Sequence, residues 1–172
     1  MDERQRRTFS PPPMSNLLPL AAKVKASAGS SKEARRIFDG SNETCWSFDL
    51  GDPSTSSTMQ LTCTLAEPRT MLEVAELRCT FAGGFAAIRV AVLFGYATQD
   101  KILDWARVQE VFPKDGNMMQ KFGWNTEVAQ QAVQAIGRDM DTPVTHIALS
   151  LEGSTDGFGR VTVYELGIWT QT

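Results

Sequence analysis

The chain has 172 residues, of which 42% are hydrophobic and 22% charged, with a formal charge of −3. That length is enough for one domain with a real hydrophobic core, and the acid surplus argues against a general nucleic-acid binder, whose phosphate contacts need a basic surface. No apolar run reaches the ~20 residues of a membrane-spanning helix, so no membrane span is expected. In chain order, residues 1–20 read as a disordered tail and 21–172 as the folded domain. Arg4, Arg6 and Arg7 are basic, and Pro11-Pro12-Pro13 cannot enter a helix or a ladder. There is no apolar secretory core, and Asp2, Glu3 and the prolines spoil the amphipathic helix of a mitochondrial presequence.

A short helical turn is expected over 32–36. The stretch Arg36-Ile37-Phe38-Asp39-Gly40-Ser41-Asn42-Glu43-Thr44-Cys45-Trp46-Ser47 follows. Asp39-Gly40 tolerates positive φ and marks a sharp turn, and Trp46 is expected as a buried anchor. From these residues alone it is equally an ordinary surface turn beside a core tryptophan. Residues 49–57, rich in Gly, Pro, Ser and Thr, make a connection. Gln60 to Leu65 alternates, with Leu61, Cys63 and Leu65 on one face. Glu73 to Phe81 alternates likewise, with Ala75, Leu77, Cys79 and Phe81 inward.

Ile88 to Gly95 is apolar enough for a central strand, while Lys101 to Trp105 is ambiguous. Arg107 to Phe112 is a strand stopped by Pro113, and Met118 to Trp124 is expected to pair back on it as a hairpin. Over 126–138 the rhythm becomes helical, with Val128, Ala132, Val133 and Ile136 on one side and Thr126 as cap. This helix is expected to cover one end as a lid. Strands over 145–151 and 160–169 close the sheets. Short alternating strands between turn clusters, with little helix, predict an all-β sandwich.

Catalysis needs a nucleophile beside a base, a carboxylate pair, or a metal with an open position. The single histidine, His146, lies in a strand-like alternation and reads as a surface or edge residue. No glycine-rich phosphate loop is present, and the serines around Ser56 have no evident partner. No enzyme is expected. Cys45, Cys63 and Cys79 are odd in number and lack metal-ligand spacing, which predicts free thiols in a reducing compartment.

The Asp39-Gly40 turn followed by Thr44-Cys45-Trp46 resembles the opening motif of discoidin (coagulation factor C-type) domains, which are galactose-binding-like β-sandwiches. Phe81-Ala82-Gly83-Gly84-Phe85 and the ending Phe158-Gly159-Arg160-Val161-Thr162-Val163-Tyr164-Glu165-Leu166 continue the resemblance in order. It runs from about Lys25 to Trp169 and is strongest to a small intracellular member. The resemblance implies a galactose-binding-like jelly roll with one short inserted helix. Extracellular members often carry a disulfide joining their ends, and the absence of cysteine near either end here favours an intracellular protein, cytoplasmic or nuclear, with a ciliary assembly among the settings implied.

The resemblance also implies a structural calcium ion under the Asp-Gly turn, with donors at the Arg36 carbonyl, Asp39, Ser41, Thr44 and Glu165. Two carboxylates and several neutral oxygens suit calcium better than zinc. Ser41 stands where many members have Asn or Asp. The alternative makes Asp39 an Asx-turn residue bonded within its own loop. Ligands of such sandwiches are met by the loops at one end. Phe85 and Phe158 are the candidate contact aromatics there, unless they fold inward as caps on the core. Arg89 and Arg160 could offer forked hydrogen bonds to a polar ligand. The reading is a non-catalytic binding module or scaffold subunit engaging a protein partner. Its rival is a carbohydrate-binding module meeting a glycan through the loop end, with Trp124 and Trp105 as the tryptophans in loop-like surroundings.

Overall fold

The computed structural model describes residues 10–52, 57–71, 73–100 and 103–171. The first nine residues of the expected tail, the serines at 54 and 56, and the start of the 101–105 segment lie outside them. Among the described residues ten strands form two antiparallel sheets. One contains β1 (Met14–Asn16), β10 (Arg160–Gln171), β5 (Val74–Phe81) and β8 (Gln120–Gly123) in that order, with β3 (Trp46–Asp49) also paired to β10. The other runs β2 (Ala21–Ala26), β4 (Thr58–Arg69), β9 (Val144–Ser154), β6 (Ala87–Ala97) and β7 (Leu103–Val111). The alternation predicted for β4 holds, with Leu61, Cys63 and Leu65 buried. That for β5 holds from Leu77 through Cys79 to Phe81, whereas at its start Val74 is buried in place of the expected Ala75. Trp46, Phe94, Ile147 and Leu149 join them between the sheets. β6 is an interior strand, as its apolar run predicts.

Several expectations are corrected. The tail does not extend to Leu20. β1 pairs with the end of β10, and Leu17 and Leu18 are fully buried. Asn16 holds this segment, because its Oδ1 accepts from the amides of Leu18 and Ile168, each at 3.2 Å. Prolines and charges marked the neighbourhood as tail-like, but two leucines and one amide side chain are enough to dock it. The ambiguous 101–105 region contributes the first residues of β7.

The expected hairpin does not form. β8 joins β5 in the opposite sheet, with Cys79 facing Gln120 and Glu76 facing Gly123. The 112–119 loop is long enough to cross between sheets, and it is tied to the 82–86 turn instead of folding tightly on itself. Asn117 Oδ1 accepts from the Gly83 amide and Asp115 Oδ1 from the Gly84 amide.

A helical turn occurs as expected, with α1 (Ser31–Ala34) capped by Ser30 and passing into a tight 3-10 turn at Arg35–Phe38. The inserted helix is α2 (Thr126–Ala135). Its cap is Asn125, one residue before the expected Thr126, and the Asn125 side-chain Oδ1 accepts from the Val128 amide at 3.1 Å. Ala129 and Val133 are buried, Ala132 and Ile136 pack partly, and Val128 faces solvent. Three of the four expected positions therefore face the protein, and Ala129 takes the place expected for Val128. α2 packs against β7, the edge strand of its sheet, so it covers an edge rather than closing an end.

Candidate functional site: a braced loop end and a trough on the sheet face

Antiparallel pairing brings four connections to one end. Asp49 faces Arg160, Phe81 faces Val163, Ala87 faces Ser154, and Val111 faces Val90. These connections are hydrogen-bonded to one another. Ala86 donates its amide to Thr155 Oγ1 at 3.0 Å, and the Thr155 amide returns to the Ala86 carbonyl at 2.9 Å. The Leu50 amide donates to the Gly159 carbonyl at 2.8 Å, and the Arg160 amide to Asp156 Oδ2 at 3.0 Å. Gly159 has φ +84°, and a Cβ there would collide with the Gly51 carbonyl.

From this platform Phe158 stands 88% exposed at the tip of the β9–β10 loop. Phe112, Ile88 and Phe85 are exposed around it to lesser degrees. Of the two alternatives for the loop aromatics, Phe158 takes the outward one, while Phe85 sits at the margin with 37% exposure. A cavity of about 420 Å³ opens between Ile88, Phe112, Arg89, Glu152 and the 50–52 turn.

The candidate arginines are engaged within the protein. Arg160 pairs with Asp49 at 3.1 Å, and Arg89 pairs with Glu152 and, at 3.4 Å, with Glu110. Burial works to raise the Glu152 carboxyl, but hydrogen bonds from Ser150, Arg107 and Arg89 outweigh it and hold the group below the usual carboxylate range. Trp124 is corrected from a loop aromatic to a core-packed one. Its ring stacks on Phe94 with centroids 5.7 Å apart, and its indole nitrogen is buried. Trp105 meets His146 edge-on, and His146 lies on the interior strand β9 rather than at an edge. Burial lowers the His146 pKa, and its Nδ1 lies 2.8 Å from Thr145 Oγ1. Among the described residues no carboxylate bonds His146 to orient it as a base.

The second feature is a trough of about 650 Å³ on the outer face of the β1–β10–β5–β8 sheet. β1 forms one wall and the turn after Phe38 the other. Asp39 makes the Asx turn. Its Oδ1 accepts from the Ser41 amide at 2.8 Å and its Oδ2 from the Thr44 hydroxyl at 2.5 Å. Those two bonds, Thr44 first, hold the Asp39 carboxyl below the usual range.

On the floor, Arg78 lies 3.8 Å from the Trp169 ring centroid and donates to Glu76 Oε1. The β10 register slips between Val163 and Glu165, so Tyr164 and Glu165 both border the trough. Among the described residues Glu165 has no hydrogen-bond or ion-pair partner. Of the five implied calcium donors, Asp39, Ser41 and Glu165 share this trough, while Arg36 and Thr44 lie outside its lining. The Arg36 carbonyl accepts from the Asp39 amide at 3.5 Å. Two carboxylates with neutral oxygens nearby are calcium-like chemistry, but Thr44 turns its proton toward Asp39 and so offers less to an ion as it stands. Among the described residues no three His, Cys, Asp or Glu side chains gather as a metal cluster.

No protein-family model matches the chain. Nuclear receptor 2C2-associated protein of Xenopus laevis is 29% identical over 133 residues, covering 77% of both chains. The Homo sapiens protein of that name is 29% identical over 136 residues, covering 78% of this chain and 77% of its own. The chain is similar to the nuclear receptor 2C2-associated proteins over about three quarters of its length. The resemblance read from the Asp-Gly, Gly-Gly-Phe and C-terminal motifs is thereby borne out.

Solved structures agree on the fold. Chitosan-binding module 1 from a chitosanase/glucanase of Paenibacillus sp. IK-5 superposes with a TM-score of 0.59 at 16% identity, covering 90% of this chain and 98% of that one. A family 32 carbohydrate-binding module from C. perfringens, solved with galactose, gives 0.56 at 14%, covering 91% and 98%. The chain has the galactose-binding-like jelly-roll fold.

Sequence reasoning missed Ile88, Phe112, Arg78, Tyr164 and Trp169. Phe112 beside Pro113 was legible as a strand end with a bulky exposed neighbour. The grouping of Arg78, Tyr164 and Trp169 depends on the β5–β10 register and its bulge, which no local pattern announces.

Proposed function

We propose that the protein is a non-catalytic binding module that docks a protein partner through its braced loop end. The observation that carries this reading is Phe158, almost fully exposed on a loop held by hydrogen bonds and by the close approach of Gly159 to Gly51. A large apolar side chain presented on a rigid support loses little entropy on binding and suits a central anchor of an interface. The relatives are named for association with a nuclear receptor, which favours a protein partner and an intracellular setting, nuclear or cytoplasmic. A scaffold role within a larger assembly, a ciliary one included, belongs to the same proposal.

The test is recovery of partners from native cells with the tagged full chain and with Phe158→Ala. The variant should lose the principal partner while melting within about a degree of the parent. Recovery of the same partners by both chains would refute the loop-end reading.

A glycan reading has one specific observation in its favour, namely that the structural neighbours are named as chitosan-binding or were solved with galactose. Neither tryptophan it called for stands out on a loop, because Trp124 stacks on Phe94 and Trp105 lies half-buried on β7 against His146. Sugar-specific signals on a glycan array, lost in Phe158→Ala, would favour it. Calcium at the Asp39 turn is kept as a proposal with a structural role, resting on Asp39 and Glu165 bordering one trough.

A further inference from the structure

We propose that the trough on the outer face of the β1–β10–β5–β8 sheet binds a cationic side chain, an arginine or lysine, presented by a peptide segment of a protein partner. The inference rests on the protein-binding reading but concerns a different surface from the loop end.

Its volume, about 650 Å³, is that of a ligand site rather than a surface dimple. Charge decides what it holds. Arg78 is the one cation on its floor among the described residues, and that charge is met by Glu76, with both side chains less than 20% exposed. Asp39 and Glu165 remain as the surplus. The Asp39 carboxyl is held ionised chiefly by Thr44 and Ser41, which are neutral groups, with the exposed Arg36 adding a smaller attraction from outside the trough lining. Glu165 is half-buried on a strand, where a carboxylate without a partner is costly and an incoming cation would relieve that cost.

Apolar side chains complete the lining. Phe38, Met119 and the Trp169 ring can receive the methylene stem of an arginine or lysine while its head reaches the carboxylates. A long cation with an aliphatic stem matches both parts. A free inorganic cation would use the oxygens and leave the apolar lining unfilled.

The experiment uses the full chain in chelator-containing buffer at physiological salt. Fluorescence polarisation is read with a labelled octapeptide carrying one central arginine, and with the same peptide carrying neutral, isosteric citrulline. The arginine peptide should bind at least tenfold more tightly than the citrulline one. Glu165→Gln, which keeps the shape of the side chain, should erase most of that preference, and Asp39→Asn should reduce it. Phe158→Ala should leave it unchanged.

Equal affinity for the two peptides would overturn the proposal. So would an arginine preference that survives in Glu165→Gln, or one that disappears in Phe158→Ala, since the peptide would then sit at the loop end. If partner recovery depends on Phe158 but no arginine preference is found, this inference falls and the loop-end reading stands.

Discussion

Single residues carry sharply different duties within one short motif. Asp39 and Trp46 lie seven positions apart, yet one is a solvent-facing turn acceptor and the other is 2% exposed in the core. Trp46 packs on Phe48 with ring centroids 4.5 Å apart. Removing it should leave a cavity that the sheets cannot close, so Trp46→Ala should cost about 3–5 kcal/mol, read as a lower urea midpoint at unchanged slope. The cysteines divide in the same way. Burial pushes Cys63 and Cys79 up to about 12, so neither forms thiolate at neutral pH, whereas Cys45 is only half-buried. Iodoacetamide on the native protein should therefore label Cys45 alone within minutes, and all three in denaturant, as counted by intact mass.

Among the elements, the segment before β2 is the instructive one. Pro11-Pro12-Pro13 gives it the look of a linker, yet Leu17 and Leu18 are buried and β1 completes an edge of its sheet. Gly167 leaves just the space that the Asn16 side chain fills, since a Cβ there would stand 2.6 Å from the Asn16 amide nitrogen. A chain beginning at Ala21 would lose both leucines and the Asn16 bonds. At roughly 1.5–3 kcal/mol for each buried leucine, its melting temperature should fall by many degrees. A melt within two degrees of the full chain would show the segment to be an accessory. α2 is the matching case on the other side, where a short amphipathic helix shields edge strand β7 and is tied to it through Gln109, whose side chain bonds Gly123 and Asn125.

For the whole molecule, the Asp39 turn and the last strand face each other across one trough, so whatever cation enters it links the first third of the chain to its end. If that cation is calcium, a ligand of the folded state alone adds about 2.7 kcal/mol at a hundredfold excess over its Kd. Millimolar calcium should then raise the melting temperature, magnesium should do much less, and Asp39→Ala should abolish the rise. Equal melting of chelator-treated protein with and without calcium would remove the metal. The trough would then be open to the cationic side chain alone.

The sequence by itself determined the layered β architecture, because period-two burial in Gln60–Leu65 and Leu77–Phe81 permits only a half-buried strand. It also determined the Asp39-Gly40 turn, where local chemistry, an Asx acceptor and a glycine with φ +74°, specifies the backbone without outside help. It marked Phe158 as a loop aromatic between turn residues, leaving open whether the ring faced in or out. Only the tertiary structure decided that Trp124 turns inward onto Phe94 and that β8 crosses to β5. It likewise decided that Leu17 and Leu18 dock. Each of these depends on what waits on the far side of a contact rather than on neighbours in the chain. The trough is the clearest instance. Arg78, Glu165 and Trp169 meet only because β10 takes one extra residue against β5, and a bulge that reverses the facing of a side chain leaves no mark in the order of residues.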